Sequence, residues 1–137
     1  MVTERLDEAK VLVERLLQSK IYLFSDLKPS DLENRLAAVY AIFRKEDPQA
    51  LYVGRTKNIR QRMYQNHLMG PTTNARLKKY LIQDKAISEV TDVESAKRYI
   101  MEYCYFQFIH EPNIEPRGRI EGLFSFILDV RYIHKEH

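Results

Sequence analysis

The sequence predicts an α+β fold: a small antiparallel sheet, made of a hairpin plus at least one more strand, flanked by helices. Three observations point there. Ala37–Phe43 (AAVYAIF) and Ala50–Val53 (ALYV) are two short β-rich runs. The polar stretch RKEDPQ between them carries an Asp47-Pro48 turn signal, so the pair reads as a hairpin with a longer loop. Around it lie segments whose apolar residues recur at helical spacing.

The first of these is Thr3–Gln18, with Leu6, Ala9, Leu12, Val13, Leu16 and Leu17 on one face and charges on the other. SDLKPSDLENRL supplies a turn and a short helix with Ser30 or Asp31 as N-cap. After the hairpin, Gly54 ends the second strand and TKNIRQRMYQNHL forms a helix started by Thr56 or Asn58. GPTTN breaks that helix, and Thr72 or Thr73 caps another that runs to about Gln83. AISEV is a short strand candidate. TDVESAKRYIMEYCYFQFI then reads as one long helix capped by Asp92 and stopped by Pro112. Leu123–Tyr132 leans towards a further strand. The element order is ααββααβαβ, with no internal repeat, low-complexity tract or linker.

The chain has 137 residues, of which 45% are apolar and 30% charged, as expected for one globular domain with one core. The lone Cys104 cannot form an internal disulfide, which points to a reducing compartment. The N-terminus MVTERLDEAK has no signal-peptide core, and no run is long enough for a bilayer. These features read as a soluble cytoplasmic protein with no membrane partner.

Charge is unevenly spread. From Gln49 to Gln83 there is no Asp or Glu, while Arg55, Lys57, Arg60, Arg62, Arg76, Lys78 and Lys79 give +7. The whole chain carries only +3, so the remainder is net acidic. Such a one-sided basic face favours a polyanion, nucleic acid before membrane, although it can also serve solubility alone. A second oddity is Glu102. On a helix reaching Ile109 it would be flanked by Tyr99, Tyr105 and Phe106. Burying an unpaired carboxylate costs several kcal/mol, so Glu102 either pairs with an arginine, faces a narrow wet stripe or binds a cation.

AVYAI, then LYVGRTKNIRQR, then AKRYIMEYCYFQFIHEPN resembles the GIY-YIG nuclease family. The first signature falls on Ala38-Val39-Tyr40 and the second on Tyr52-Val53-Gly54. The family's arginine falls on Arg62, eight residues after Gly54, and its glutamate on Glu102, with Pro112-Asn113 closing the pattern. The likeness spans roughly 37–113, which divides the chain into an N-terminal helical segment (1–36) and a GIY-YIG-like nuclease domain with a C-terminal strand extension (37–137). Ala38 departs from the family's first glycine. A histidine four residues beyond the arginine in relatives is replaced by Asn66, with His67 one place further; on an α-helix that is a rotation of about 100°. Glu121, in RGRIEGLF, is a rival for the glutamate, but no fitting Pro-Asn follows it.

The resemblance implies a DNA endonuclease using one divalent cation, Mg²⁺ or Mn²⁺, with Glu102 as its sole protein ligand; one carboxylate suits an ion that keeps most of its waters. Arg62 would clamp the scissile phosphate through its planar fork. Tyr40 would act as general base, with Arg55 and Arg62 supplying the positive charge a phenol of pKa near 10 needs. Tyr52 would position phosphate or water. Arg55, Lys57, Arg60, His67, Arg76, Lys78 and Lys79 form the candidate nucleic-acid track, and the nine tyrosines are either core or base-stacking groups. Cutting both strands calls for a homodimer or sequential nicking. The alternatives are a non-catalytic nucleic-acid-binding module on the same fold, and a protein-interaction domain that uses the amphipathic N-terminal helix as a dimer face.

Overall fold

The hairpin forms as its β-formers dictate, but the first strand keeps its seven residues one place later, and the second runs three residues further, to Thr56. In the computed structural model, which describes residues 1–46, 49–69 and 76–133, β2 is Ala38–Arg44 and β3 is Ala50–Thr56. Gly54 therefore lies inside β3, not at its end. The preceding segment supplies α1 (Val2–Gln18) and a two-residue strand, β1 (Tyr22–Leu23). In place of the expected helix near Ser30 there are two 3₁₀ turns, Phe24–Asp26 and Pro29–Asp31. After β3 come a π-helix (Gln61–Met69), α2 (Arg76–Gln83), α3 (Val93–Tyr103), β4 (Cys104–His110) and α4 (Ile114–Ile127). The Thr72 and Thr73 cap candidates and the GPTTN break lie outside the described residues.

Two expectations fail together. Asp92 caps α3 as anticipated, accepting from the Ser95 N–H at 2.8 Å, but the helix stops at Tyr103. Cys104 takes extended dihedrals, and the seven residues Cys104–His110 pair with the whole of β2, Arg44 opposite Cys104 through Ala38 opposite His110. CYFQFIH is rich in aromatic and branched side chains, which fit a pleated surface better than a helix. The C-terminal stretch expected as a strand is instead α4. Pro116 sits in its first turn, where a missing N–H costs nothing. AISEV forms turns rather than a strand.

The sheet order is β1-β4-β2-β3, antiparallel throughout. Alternation along the strands divides the core into two faces. One face carries Tyr40, Ile42 and Phe106, covered by Ile59, Met63, Leu77, Leu81, Ala96 and Ile100 from the helices that follow β3. The other carries Val39, Ala41, Phe43, Val53 and Ile109, covered by Leu16 of α1 and by Ile120 and Phe124 of α4. The N-terminal segment thus belongs to the same unit as the hairpin. Gln107 ties it down by donating to the carbonyls of Leu17 and Ser19 at 3.1 and 2.8 Å, which serves the open end of α1.

β3 has a bulge: Tyr52 faces Ile42 while Ala50 faces Phe43, so Leu51 is the extra residue. The chain returns to this point after α4. Asp129 adopts φ 49°, and the N–H groups of Arg131 and Tyr132 then donate to the carbonyls of Ala50 and Leu51 at 2.9 and 3.0 Å. Asp84, just after α2, accepts from Arg131 Nε and from Tyr132 Oη, each at 2.7 Å. Hydrogen bonding from Arg131 is the main reason its carboxyl is held down to about 2. Because the folded state prefers the carboxylate more than the unfolded chain does, this clamp stabilises the fold at and above pH 4 and weakens as pH falls towards 2. Asp84→Asn is expected to cost about 1–3 kcal/mol at pH 7. In denaturant titrations the gap from wild type should close below pH 3.

Candidate active site

Tyr40, on the middle strand β2, stands opposite Gly54 on β3. Its ring lies across that glycine: a Cβ at position 54 would fall 2.4 Å from the phenol oxygen. Only a residue without a side chain leaves room for this path. The ring is 1% exposed, and its oxygen lies 2.6 Å from Nε2 of the fully buried His67. The imidazole meets both signature phenols edge-on, with ring centroids 5.4 Å from Tyr40 and 5.3 Å from Tyr52.

The π-helix explains how His67 reaches this place from one residue too far along. A π ladder pairs i with i+5, so each turn takes up one more residue than an α turn does. Counted from Arg62, position i+5 in this winding occupies roughly the angular place of i+4 in an α-helix. The rotation expected for His67 is thereby absorbed, and His67 is buried against the two signature tyrosines rather than set on an outer basic face. The side chain of Asn66 lies outside the described residues.

Burial governs the protonation of the cluster. Desolvation first, then Tyr52, raises the Tyr40 phenol well above its ordinary range; Arg62 pulls the other way without winning. Tyr52 is raised for the same leading reason, opposed by Arg62 and Arg76. Desolvation, with the charges of Arg62 and Lys78, lowers His67 to about 3. At neutral pH the pair is therefore a neutral phenol against a neutral imidazole. With the phenol donating, Nε2 accepts and Nδ1 holds the ring proton; Nδ1 is buried with no hydrogen-bond partner among the described residues. The positive charge expected to create a standing phenolate is present in Arg62, but it is outweighed.

The structure does not bring Glu102 to this cluster. Because α3 stops at Tyr103, Glu102 is exposed, and its backbone carbonyl accepts from Lys45 Nζ at 3.0 Å. That is the hairpin end of β2, where Arg44 faces Cys104, roughly 13 Å along the strand from Tyr40 at ordinary strand rise. The carboxylate that acts electrostatically on both Tyr40 and Tyr52 is Glu121, on α4. It lies beside the outer edge of β3, 4.0 Å from Arg55 Nε and within reach of the Arg55 backbone N–H. Its pKa is raised, chiefly by desolvation and against the pull of Arg55. Pro112-Asn113 precedes α4, with Asn113 as its N-cap residue.

The basic candidates divide. Arg55, Lys57, Arg76 and Lys79 are exposed, and Arg76 lies close enough to oppose the rise at Tyr52. Arg60 is partly buried and donates from Nε to the Leu32 carbonyl at 2.7 Å, which holds the loop before β2. Lys78 is 1% exposed and packs inside, near Lys97 and Glu94, so it is removed from the outer track. Cys104 is buried and its thiol is pushed up to about 12, which makes it inert. Tyr80, which no sequence motif marks, bridges Tyr52 at 6.2 Å and Tyr132 at 5.3 Å.

Among the described residues no three His, Cys, Asp or Glu side chains form a metal cage, and no helix is long and apolar enough to cross a membrane. No curated protein and no solved structure matches the chain. Residues 36–108, more than half of the chain, match the family model described as the GIY-YIG catalytic domain. That span takes in both signature tyrosines, Gly54, Arg62, His67 and Glu102, and ends before α4 and Glu121. The open four-stranded antiparallel sheet with its helices agrees with the nuclease-type fold of that family. The chain belongs to the GIY-YIG family.

Proposed function

We propose that the protein is a metal-dependent endonuclease that hydrolyses DNA phosphodiester bonds, with Glu121 in the place first given to Glu102. The observation that carries this reading is the neutral Tyr40–His67 pair, 2.6 Å apart, set in the field of Arg62 beside a glycine that cannot be replaced without moving the phenol.

Hydrolysis adds water to phosphorus and breaks one P–O ester bond. The water must lose a proton, and the leaving oxygen must gain one. Tyr40 Oη takes the proton from the water while its own proton passes to His67 Nε2, so no phenolate has to persist in a buried site. The leaving oxygen is protonated from solvent. Arg62 grips the non-bridging oxygens and offsets the charge that builds there. Tyr52 and Arg76 border the same space. Glu121 is one half-buried carboxylate beside the β3 edge, a donor set that fits Mg²⁺ or Mn²⁺, which keeps its waters and shares substrate oxygens. When bound, such an ion supplies Lewis acidity and a more acidic water. Exposed Arg55, Lys57, Arg76 and Lys79 form the flanking phosphate track.

Plasmid nicking with Mg²⁺ or Mn²⁺ tests the assignment. Arg62→Ala and Glu121→Gln should each lower kcat at least ~100-fold, and Glu102→Gln should stay within about twofold of wild type. Loss of activity in Glu102→Gln with Glu121→Gln unaffected overturns the choice of carboxylate.

His67→Gln should lower kcat by about 10- to 100-fold. It should also alter acid stability. The folded protein refuses a proton on His67 that the unfolded chain accepts, so wild-type stability falls as pH drops from 6.5 towards 3. Thermal melts of the variant should be flatter across that window.

In salt titrations of DNA binding, Lys57→Ala and Lys79→Ala should each reduce the slope by about 0.9 if each side chain neutralises one phosphate. An unchanged slope in both variants removes these lysines from the track.

A further inference from the structure

We propose that Arg55 is a built-in counter-ion for Glu121, seated in a notch made by Gly118, which keeps the carboxylate organised before metal arrives and then moves to a phosphate. This inference rests on the reading of Glu121 as the metal-holding carboxylate.

Gly118 lies on α4 one turn before Glu121, on the same side of the helix. Glycine inside a helix costs about 1 kcal/mol relative to alanine, so its presence there asks for a local reason. The Arg55 guanidinium occupies the space that a side chain there would take. A Cβ at position 118 would lie 2.2 Å from Nη1 of Arg55. Gly122, one turn further along the same helix, has nothing within 4 Å of its own Cβ position, so the constraint belongs to position 118 alone. From this seat Arg55 places Nε 4.0 Å from Glu121 Oε1, while its backbone N–H also reaches that carboxylate.

Glu121 is thus held by a cation from the strand it faces. Desolvation pushes it towards the protonated form, and Arg55 opposes that. The same charge resists a second cation at the same oxygens. The pair is half exposed on the arginine side and one-third exposed on the glutamate side, so the guanidinium is free to swing outward on its flexible stem. On the exposed side its outward partner is a phosphate oxygen of the nucleic acid, to which a guanidinium binds bidentately. Metal entry and phosphate capture are then linked: each releases Arg55 from, or draws it away from, the same carboxylate, and the linkage is reciprocal.

The test is Mn²⁺ titration of the DNA-free protein at pH 8, read by water-proton relaxation, with Glu121→Gln defining the site. Arg55→Gln should tighten Mn²⁺ binding by roughly fivefold, the scale of one unit charge removed near a partly exposed ion. Gly118→Ala should act in the same direction by unseating the guanidinium, and it should melt at or above the wild-type temperature because alanine favours the helix. A second readout is the gain in DNA affinity caused by Ca²⁺, measured by fluorescence anisotropy; it should shrink in Arg55→Gln. If Glu121→Gln leaves Mn²⁺ binding unchanged, the assignment of the carboxylate fails. If it weakens Mn²⁺ binding while folded Arg55→Gln and Gly118→Ala bind as wild type or more weakly, the counter-ion role alone is overturned.

Discussion

The phenol of Tyr40 occupies the space that a side chain at position 54 would fill, and much of the site follows from that overlap. It sends the ring from the central strand across its neighbour towards the outer edge of the sheet. There its oxygen meets an imidazole from the π-helix on one face, and it shares an electrostatic field with a carboxylate from α4 on the other. Three elements distant in sequence are brought to one place because a glycine lets an aromatic ring lie flat over the backbone. The two core clusters, one per face, fix the helices that supply the other groups.

Burial then sets the chemistry. A phenol and an imidazole in water would titrate around 10 and 6.5. Enclosed together, with Arg62 nearby, neither charges readily, since the low-dielectric surroundings penalise each ionised form more than the arginine can offset for the phenol. A short contact between two neutral partners of this kind suits concerted proton transfer. The imidazole is kept unprotonated first by its burial and then by two cations, Arg62 and Lys78, the second of which is itself buried rather than spread on the surface.

The hairpin, the first helix, the Asp92 cap and the cluster of Tyr40, Tyr52 and Arg62 were legible because each rests on a local signal: β-rich runs around a turn, apolar spacing, a capping residue, or a short motif at fixed separation. The passage from α3 to β4 was not. No glycine or proline occurs from Val93 to Ile109 to mark the change at Cys104, and the helical spacing of the preceding residues continues through it by chance. Partnership with the inner edge of β2 decides the matter, and that is a tertiary term. The error carried its own consequence: a helix prolonged to Ile109 would have buried Glu102, whereas the true end at Tyr103 leaves it in water. α4 was obscured by Pro116, Gly118 and Gly122, all weak helix formers, and Glu121, visible in the sequence as a rival carboxylate, had no helix to place it beside the tyrosines. The π winding after Arg62 has no sequence signature short enough to read, so the displaced histidine looked misaligned.

The return of the chain to β3 has one more implication. Near the bulge, the outward carbonyls of Ala50 and Leu51 are taken by Arg131 and Tyr132, and further along the same border Glu121 reaches the N–H of Arg55. An open sheet ordinarily presents such a margin to any passing extended segment, which invites stacking of copies or domain exchange. Here both ends of that margin are already claimed by the polypeptide's own returning chain and last helix, which disfavours self-association by strand addition along β3.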